Sequence, residues 1–306
     1  MDGPVIRMGG YQGPASVHNR AAYVLGEAMA RRTGGEVSLT LIEDVTKLGR
    51  NSIDLFDMVE GSELDLCYFA SSYLVHRVPN LSVFDLPFAI RSRERIYEML
   101  DNALGEEIKA DVARRTGFTV LGFWDNGFRH FTNRLRPIRA PEDCRGLSIR
   151  TMNSAVHQET FRALGFQPDF IDIKDFPAAI RAEIVDAQEN PLTNTVNFAV
   201  HETHRFVTMT GHFYGVSLVL ANAERIAAWP RERREALEAA MKEATQAQRR
   251  FANEEDERCY PILAAAGVEL IGSEDFDRPA FEEATAEVSA ATARNIDDSV
   301  LGYFGR

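Results

Sequence analysis

Residues Val37 to Ala70 read VSLTLIEDVTKLGRNSIDLFDMVEGSELDLCYFA and decide the fold class of the first part of the chain. Apolar and polar residues alternate from Val37 to Leu41, which predicts a β-strand. Asn51 and Ser52 are helix-capping residue types, and they precede apolar residues at helical spacing. Leu64 to Ala70 is a short apolar run that is typical of a buried strand. This strand, helix, strand order predicts an α/β domain with a parallel sheet.

The same alternation continues on both sides of this stretch. Before it, Val5 to Met8 has the pattern of a strand, and Val17 to Arg32 has the pattern of a helix that ends at Gly34-Gly35. After it, Phe118 to Trp124 is one more apolar strand. A second α/β set then follows, with strands at Leu147–Thr151, Pro168–Ile173 and Val185–Gln188 and helices at Ser154–Leu164 and Asp175–Ala182.

Two later segments predict how the two sets are connected. Arg205 to Ala221 reads as a strand that returns to the first set, interrupted at Gly211 and Gly215 where a hinge is expected. Pro230 to about Ala265 predicts one helix of roughly 50 Å that crosses both lobes. We therefore expect two discontinuous lobes, residues 1–123 with about 212–250 and residues 124–211 with about 251–306, joined by hinge strands and a long bracing helix.

Composition argues against several classes of protein. The 306 residues include 34 Lys+Arg and 46 Asp+Glu, a formal charge of −12, and no basic cluster that would attract nucleic acid. No apolar run of about 18 residues is present to span a membrane. The three cysteines are far apart and odd in number, which gives neither a disulfide framework nor metal-ligand spacing.

Motifs for catalysis and cofactor binding are also missing from the sequence. GxSxG, HExxH, P-loop and CxxC patterns do not occur, and the seven histidines are scattered. His201 and His204 lie three residues apart without a third metal ligand, so a surface pair is the simpler interpretation. We expect no cofactor, no metal and no catalytic residues.

Three polar residues stand at the edges of apolar elements, where a cleft between two lobes would place them. They are Arg129, Arg150 and Asn190. A guanidinium at the end of a buried strand, as at Arg150, requires an anionic partner, which is either a ligand or an internal acid. Asn190 precedes Pro191, so a helix N-cap is the alternative to a ligand contact.

Three ordered motifs give a resemblance to a known family. GFWDNGFRHFTN (Gly122 to Asn133), PEDCRGLSIRTMNSAVHQETFRALG (Pro141 to Gly165) and VDAQENP (Val185 to Pro191) resemble the substrate-binding P subunits of TRAP transporters, the DctP family. FDLPF (Phe84 to Phe88) fits the same family. The resemblance covers about Val5 to Trp229.

The resemblance implies a receptor with the two-lobe clamp fold of periplasmic binding proteins, which closes on a ligand held between the lobes. Such a receptor delivers a small organic acid, either a sugar acid or a dicarboxylate, to the membrane permease subunits. It also implies that Arg150 forms a two-pronged salt bridge with the ligand carboxylate, and that Arg129 and Asn190 contact the ligand. A guanidinium fits this role because its planar fork matches both carboxylate oxygens. We expect a monomer.

The resemblance also bears on compartment. The chain begins Met1-Asp2-Gly3-Pro4 without the charged and apolar regions of a secretory signal, which by itself favours the cytoplasm. It also fits a mature domain placed behind a new start codon. Because the family is periplasmic, we expect a periplasmic protein whose signal peptide is absent from this chain.

The remaining expected contacts come from strand ends and from the predicted hinge. Open α/β sheets bind ligands at the carboxyl ends of their strands. The residues in question are Tyr11, Ser71, Ser72, Tyr73, His212 and Tyr214, each with a structural role as the alternative. One departure from the family pattern is Glu183, which occupies a turn position where the family has Gly. The rival hypothesis is a soluble α/β enzyme that binds a carboxylic acid through Arg150 and uses a histidine or an acid as base.

Overall fold

The computed structural model describes residues 4–305, which form nine β-strands and twelve α-helices. The strands are β1 (Val5–Gly9), β2 (Ser38–Ile42), β3 (Leu66–Ala70), β4 (Phe118–Asn133), β5 (Ser148–Thr151), β6 (Gln167–Phe170), β7 (Ala187–Asn190), β8 (Phe206–Asn222) and β9 (Glu269–Ile271). The helices are α1 (Val17–Arg32), α2 (Asp54–Glu60), α3 (Arg93–Asp101), α4 (Ala103–Arg115), α5 (Ala155–Ala163), α6 (Phe176–Arg181), α7 (Leu192–Asn197), α8 (Ala223–Ala227), α9 (Arg231–Ala265), α10 (Arg278–Ala284), α11 (Ala286–Ala293) and α12 (Asp298–Gly302). The predicted α/β class is confirmed.

The chain divides into two compact units, each built from three segments. Within the described residues, the first unit contains 4–71, 105–125 and 216–255, and the second contains 72–104, 126–215 and 256–305. The sequence placed residues 72–104 in the first lobe, whereas in the structure they group with the second unit. The apolar residues of this segment show no helical or strand periodicity that would indicate which of the two cores they join.

In the first unit the three strands predicted from the sequence pair as expected. β1 pairs in parallel with β2 and β3, and β3 pairs antiparallel with the end of β8. Every residue of β3 is buried. Phe69 of β3 packs against Phe56 of α2 at 4.9 Å between ring centroids, and Tyr68 packs against Trp124 at 5.8 Å. This aromatic packing explains why β3 is a continuous apolar run.

The start of α2 differs from the prediction. The helix begins at Asp54, so its N-cap residue is Ile53, whose side chain forms no cap hydrogen bond. Instead, the carboxylate of Asp54 accepts a hydrogen bond from the backbone N–H of Asn51 at 3.0 Å. An acid in the first helical turn also interacts favourably with the helix dipole. Asp54 therefore takes the place of the predicted cap at the start of α2.

In the second unit β5 pairs in parallel with β6 and β7, β7 pairs antiparallel with β4, and β9 pairs in parallel with β8. The core of this unit centres on Phe131 of β4, which contacts Phe161 and Phe166 at centroid distances of 5.7 and 5.1 Å. These strands and their packing fix the backbone positions of the polar residues described next.

Strand β8 runs without interruption through both glycines at which the sequence predicted a break. Gly211 has φ +54°, a conformation that favours glycine, and at Gly215 an added Cβ would lie 2.9 Å from Cβ of Asn126. The two glycines therefore permit a local bend and a close approach within a continuous strand. The predicted long helix is α9, and its 35 residues contain Pro261.

Candidate functional site

Two neighbouring strands of the second unit bring Arg129 and Glu189 together. In the antiparallel register of β4 and β7, Phe131 lies opposite Glu189 and His130 lies opposite Asn190. Nε and Nη2 of Arg129 donate to the two carboxylate oxygens of Glu189, at 2.5 and 2.7 Å. Both side chains are buried, with 3% and 0% of their surface exposed. Arg129 is therefore held by a bidentate internal ion pair.

Two histidines lie against the same carboxylate. Nε2 of His212 is 3.5 Å from Glu189 Oε2, and Nδ1 of His157 is 3.8 Å from Oε1, an electrostatic contact rather than a hydrogen bond. Burial raises the pKa of Glu189, but Arg129 and the two histidines outweigh burial and hold this pKa well below its usual value. Glu189 is thus a buried carboxylate anion surrounded by donors.

His157 links Glu189 to a second buried acid. Its Nε2 lies 3.1 Å from Oδ1 of Asp85, and the hydroxyl of Ser72 donates to the same oxygen at 2.6 Å. Burial lowers the pKa of His157, but the charges of Asp85 and Glu189 and the hydrogen bond with Asp85 outweigh burial, and the net shift is upward. The predicted residue Ser72 therefore lies at one end of a polar chain that leads to Arg129.

Arg150 lies on β5 in a different electrostatic setting. Only 2% of its surface is exposed, and Nε donates to the backbone oxygen of Ile171 at 2.9 Å. The guanidinium carbon lies 4.6 Å from the centroid of the Phe176 ring. Within residues 4–305, no carboxylate lies within ion-pair distance of this guanidinium. The predicted alternative of an internal salt bridge is therefore not found at Arg150, whereas it is found at Arg129.

The charges around Arg150 define its surroundings. Burial and the charge of Arg129 lower the pKa of Arg150. The charges of Tyr73 and Glu189 raise it, and the net shift is downward. Burial likewise raises the pKa of Tyr73, and the charges of Arg150 and Arg129 lower it. Tyr73 is thus within electrostatic reach of both guanidinium groups. A buried guanidinium beside a buried phenol is suited to binding an anion that has hydroxyl groups.

Asn190 takes part in the same network through its amide. Its Oδ1 accepts from Nη2 of Arg129 at 3.4 Å and from Asn194 at 3.3 Å, and its Nδ2 donates to Gln188 at 2.6 Å. The residue that caps α7 is Pro191, without a side-chain cap. The capping role considered for Asn190 is therefore wrong, because its side chain points into the network instead.

The other residues expected at the site lie in different settings. His212 is fully buried, stacks on Phe131 at 4.1 Å, and has its pKa lowered to about 4 by burial. Tyr214 is buried against Phe128 with centroids 5.0 Å apart. Tyr11 and Ser71 belong to the first unit, where Tyr11 packs against Phe69 at 4.8 Å.

Three members of the network were not identified from the sequence: Glu189, His157 and Asp85. Glu189 lies inside the QENP motif, directly before Asn190, which was the residue predicted to contact the ligand. An acid between Gln and Asn in a short buried strand is itself a signal, because a buried carboxylate requires a partner. His157 and Asp85 are 72 residues apart, and no local pattern connects them.

In the part of the chain from 4 to 305, no cluster of three or more His, Cys, Asp or Glu side chains is arranged to hold a metal ion. Over the same residues, no helix combines the length and apolar character that a membrane-spanning segment requires.

Comparison with known proteins places these features in context. A family profile described as DctP, bacterial extracellular solute-binding protein, family 7, matches residues 8–295. The 2,3-diketo-L-gulonate-binding periplasmic protein YiaO of Escherichia coli is 31% identical over 86% of this chain and 79% of its own. The C4-dicarboxylate-binding periplasmic protein DctP of Rhodobacter capsulatus is 26% identical over 95% of this chain and 87% of its own.

Solved structures give the same fold. The sugar acid binding protein DctPAm from Advenella mimigardefordensis, in complex with galactonate, superposes with a TM-score of 0.92 at 20% identity, covering 100% of this chain and 98% of that one. A TRAP periplasmic solute-binding protein from Sulfurospirillum deleyianum with bound succinate gives 0.91 at 24% identity, covering 100% and 99%. The fold predicted from the sequence is confirmed.

Proposed function

The chain belongs to the DctP family of bacterial extracellular solute-binding proteins, the receptors of TRAP transporters, and we propose that it binds the carboxylate of a sugar acid through Arg150. Members of this family bind small organic acids and work with a membrane permease, which supports the role of a transport receptor over that of an enzyme. The proposed compartment is the periplasm. The observation that carries the proposal is the buried Arg150 guanidinium, which has no carboxylate partner within residues 4–305.

The balance of charge around Arg150 supports a ligand with a single carboxylate. The positive charge of Arg129 is neutralised by Glu189, which leaves one uncompensated guanidinium. Glu189 and Asp172 are both close enough to raise the pKa of Arg150 through their charges. A second ligand carboxylate would experience repulsion from Asp172. A monoanion therefore fits this environment better than a dianion does.

Neighbouring polar groups support a polyhydroxylated ligand. In the proposal, the Tyr73 phenol and the Asn190 amide bind ligand hydroxyls beside Arg129. The Escherichia coli relative is named for 2,3-diketo-L-gulonate, a sugar acid with one carboxylate, which agrees with this ligand class.

Ligand screening and calorimetry test the proposal. Thermal unfolding is measured with L-gulonate, D-galactonate, succinate and the neutral sugar D-galactose. A ligand at 100 times its Kd raises the free energy of unfolding by about 2.7 kcal/mol. We expect a sugar acid to raise the melting temperature more than succinate does, and D-galactose to leave it unchanged. Stabilisation by D-galactose without stabilisation by any acid would refute the proposal.

Variants of the arginine then test the residue assignment. Arg150→Ala should weaken binding of the best acid by about 10² to 10³-fold, because it leaves a buried carboxylate without its partner. Arg150→Lys should recover only part of this loss, since an ammonium cannot match both oxygens. Arg162→Ala, at an exposed arginine of the same unit, is the matched control. If Arg150→Ala bound within about threefold of wild type, Arg150 would not be the carboxylate contact.

A further inference from the structure

Strand β4 presents a second set of side chains on the face opposite to Arg129. Successive side chains of a strand point to alternate faces, so Phe128 and His130 lie on the other side from Arg129. Strand β8 repeats this arrangement, because Thr210 and His212 interact with each other on the Glu189 side, whereas Met209 and Gly211 lie on the other side. The second unit therefore has two chemically distinct faces at the same level of these strands.

A cavity of about 320 Å³ lies on that opposite face. Its apolar lining comes from Ile90, Phe128 and Met209, and its polar lining from Arg91, His130 and Arg278. This volume is at the small end of the range for ligand sites, which are commonly apolar with a few polar groups that fix orientation. The cavity belongs entirely to the second unit.

His130 supplies a buried donor to this cavity. It is 8% exposed, and its Nδ1 accepts the backbone N–H of Gly211 at 3.1 Å. Burial lowers the pKa of His130 to about 3, with further lowering by His212 and by nearby arginines that include Arg278. The ring is therefore neutral near pH 7, and its proton is on Nε2. No acceptor within residues 4–305 bonds to this Nε2–H.

Arg278 supplies a positive charge to this cavity. Its Nη2 donates to the backbone oxygen of Thr210 at 3.0 Å, and its guanidinium lies 5.2 Å from the Phe276 ring centroid and 5.6 Å from that of Phe88. These contacts hold the guanidinium in place. Across the described residues no carboxylate forms an ion pair with it. Arg91 differs, because it pairs with Glu282 at 2.7 Å.

We propose that this cavity is a second ligand site, which binds a small carboxylate with an apolar or aromatic body. The carboxylate interacts with Arg278 and accepts the Nε2–H of His130, and the body packs against Phe128, Ile90 and Met209. A sugar acid is the wrong ligand for this site, because its hydroxyls would lose water against the apolar walls without gaining partners. The site is separate from the one around Arg150 and does not depend on it.

Fluorine NMR with 4-fluorophenylacetate as the probe tests the site. We expect line broadening on titration, with a Kd of about 1 mM, as suits a fragment of this size. The neutral analogue 2-(4-fluorophenyl)ethanol should bind about tenfold more weakly, because it lacks the charge-assisted contact. Arg278→Met should weaken binding of the acid by about tenfold or more, while Arg150→Ala should leave it unchanged.

A cavity-filling variant provides a second test that does not alter Arg278. Met209→Trp places a larger side chain in the cavity and should abolish binding of the probe, with circular dichroism checking that both variants are folded. Absence of binding to wild type at 10 mM probe, or full binding to folded Met209→Trp, overturns the proposal. Loss of the probe signal in Arg150→Ala, or its displacement by L-gulonate, overturns it too, because the probe would then occupy the Arg150 site.

Discussion

Arg129 and Glu189 form a closed pair in which two guanidinium nitrogens meet two carboxylate oxygens at 2.5 and 2.7 Å. Arg150, equally buried, has only a backbone oxygen as its hydrogen-bond partner within residues 4–305. The two arginines of the site therefore differ in what they do before any ligand arrives. Arg129 forms an internal ion pair that stabilises the fold, whereas Arg150 has no ion-pair partner within residues 4–305.

This difference predicts unequal effects of the two arginines on the free energy of unfolding. Arg129→Met should lower the free energy of unfolding by about 3 to 5 kcal/mol, because it leaves Glu189 charged and unpaired in the interior. Arg150→Met should change it by less than about 2 kcal/mol, since it loses the contact with Phe176 but removes a desolvated charge. Urea unfolding of the ligand-free variants measures both. Equal losses in the two variants would contradict the assignment of Arg129 to the internal pair.

His157 predicts a loss of stability at alkaline pH. Its pKa is raised in the folded protein, so its contribution to stability is complete below pH 6.5, the usual histidine value, and decreases as pH rises through the folded pKa. The stability advantage of wild type over His157→Gln should therefore fall as pH rises above about 6.5, by up to about 1.4 kcal/mol per pH unit. Urea unfolding at several pH values measures it. His76→Gln, at an exposed position, is the control, and parallel curves for wild type and His157→Gln would refute the prediction.

His18 of the first unit predicts the opposite pH dependence. The ring is buried between Gln12 and Ser217, at 3.1 Å from each, and burial lowers its pKa to about 3. Because the unfolded chain takes up this proton below about pH 6.5 and the folded protein does not, stability should fall as pH decreases from 6.5. The advantage of wild type over His18→Gln should therefore shrink from pH 7 to pH 5. An advantage that stayed constant over this range would show that His18 does not contribute to acid sensitivity.

The left-handed backbone at Glu183 predicts that glycine is more stable than alanine at this position. Its φ is +54°, in the left-handed region where a side chain costs about 1 to 2 kcal/mol. Glu183→Gly should be about 1 kcal/mol more stable than Glu183→Ala, which removes the same carboxylate but keeps Cβ. The Ala variant controls for the 3.5 Å ion pair with Arg134. Thermal unfolding of the two variants decides the matter, and equal stability would show that the turn is unstrained.

The sequence predicted the elements with strong local patterns and the residues with motif support. Strands β1 to β3 and helix α9 follow from alternation and helical spacing, and Arg129, Arg150 and Asn190 follow from the ordered motifs. The partner of Arg129 does not, because it depends on the antiparallel register between β4 and β7, which places Glu189 beside Arg129. Register is a property of the paired strands, and a single strand does not reveal it.

The polar chain through His157 was also beyond the sequence. Asp85 lies in a 3₁₀ segment within residues 72–104, which group with the second unit and not with the first lobe as the sequence suggested. Because the sequence placed this segment in the first lobe, it did not predict that Asp85 lies beside His157. The departure at Glu183, in contrast, was visible from the sequence, and the left-handed φ supplies its physical meaning.

The interleaving of the two units along the chain limits how the protein can be dissected. Each unit is assembled from three separate segments, so a single backbone cleavage inside residues 72–255 divides both units between the two products. A terminal truncation damages one unit, because residues 256–305 complete the unit that contains Arg150 and residues 4–71 belong to the other. Limited proteolysis inside residues 72–255 should therefore yield no fragment that contains a complete unit, and a reporter protein is better inserted in an exposed turn than fused to half of the receptor.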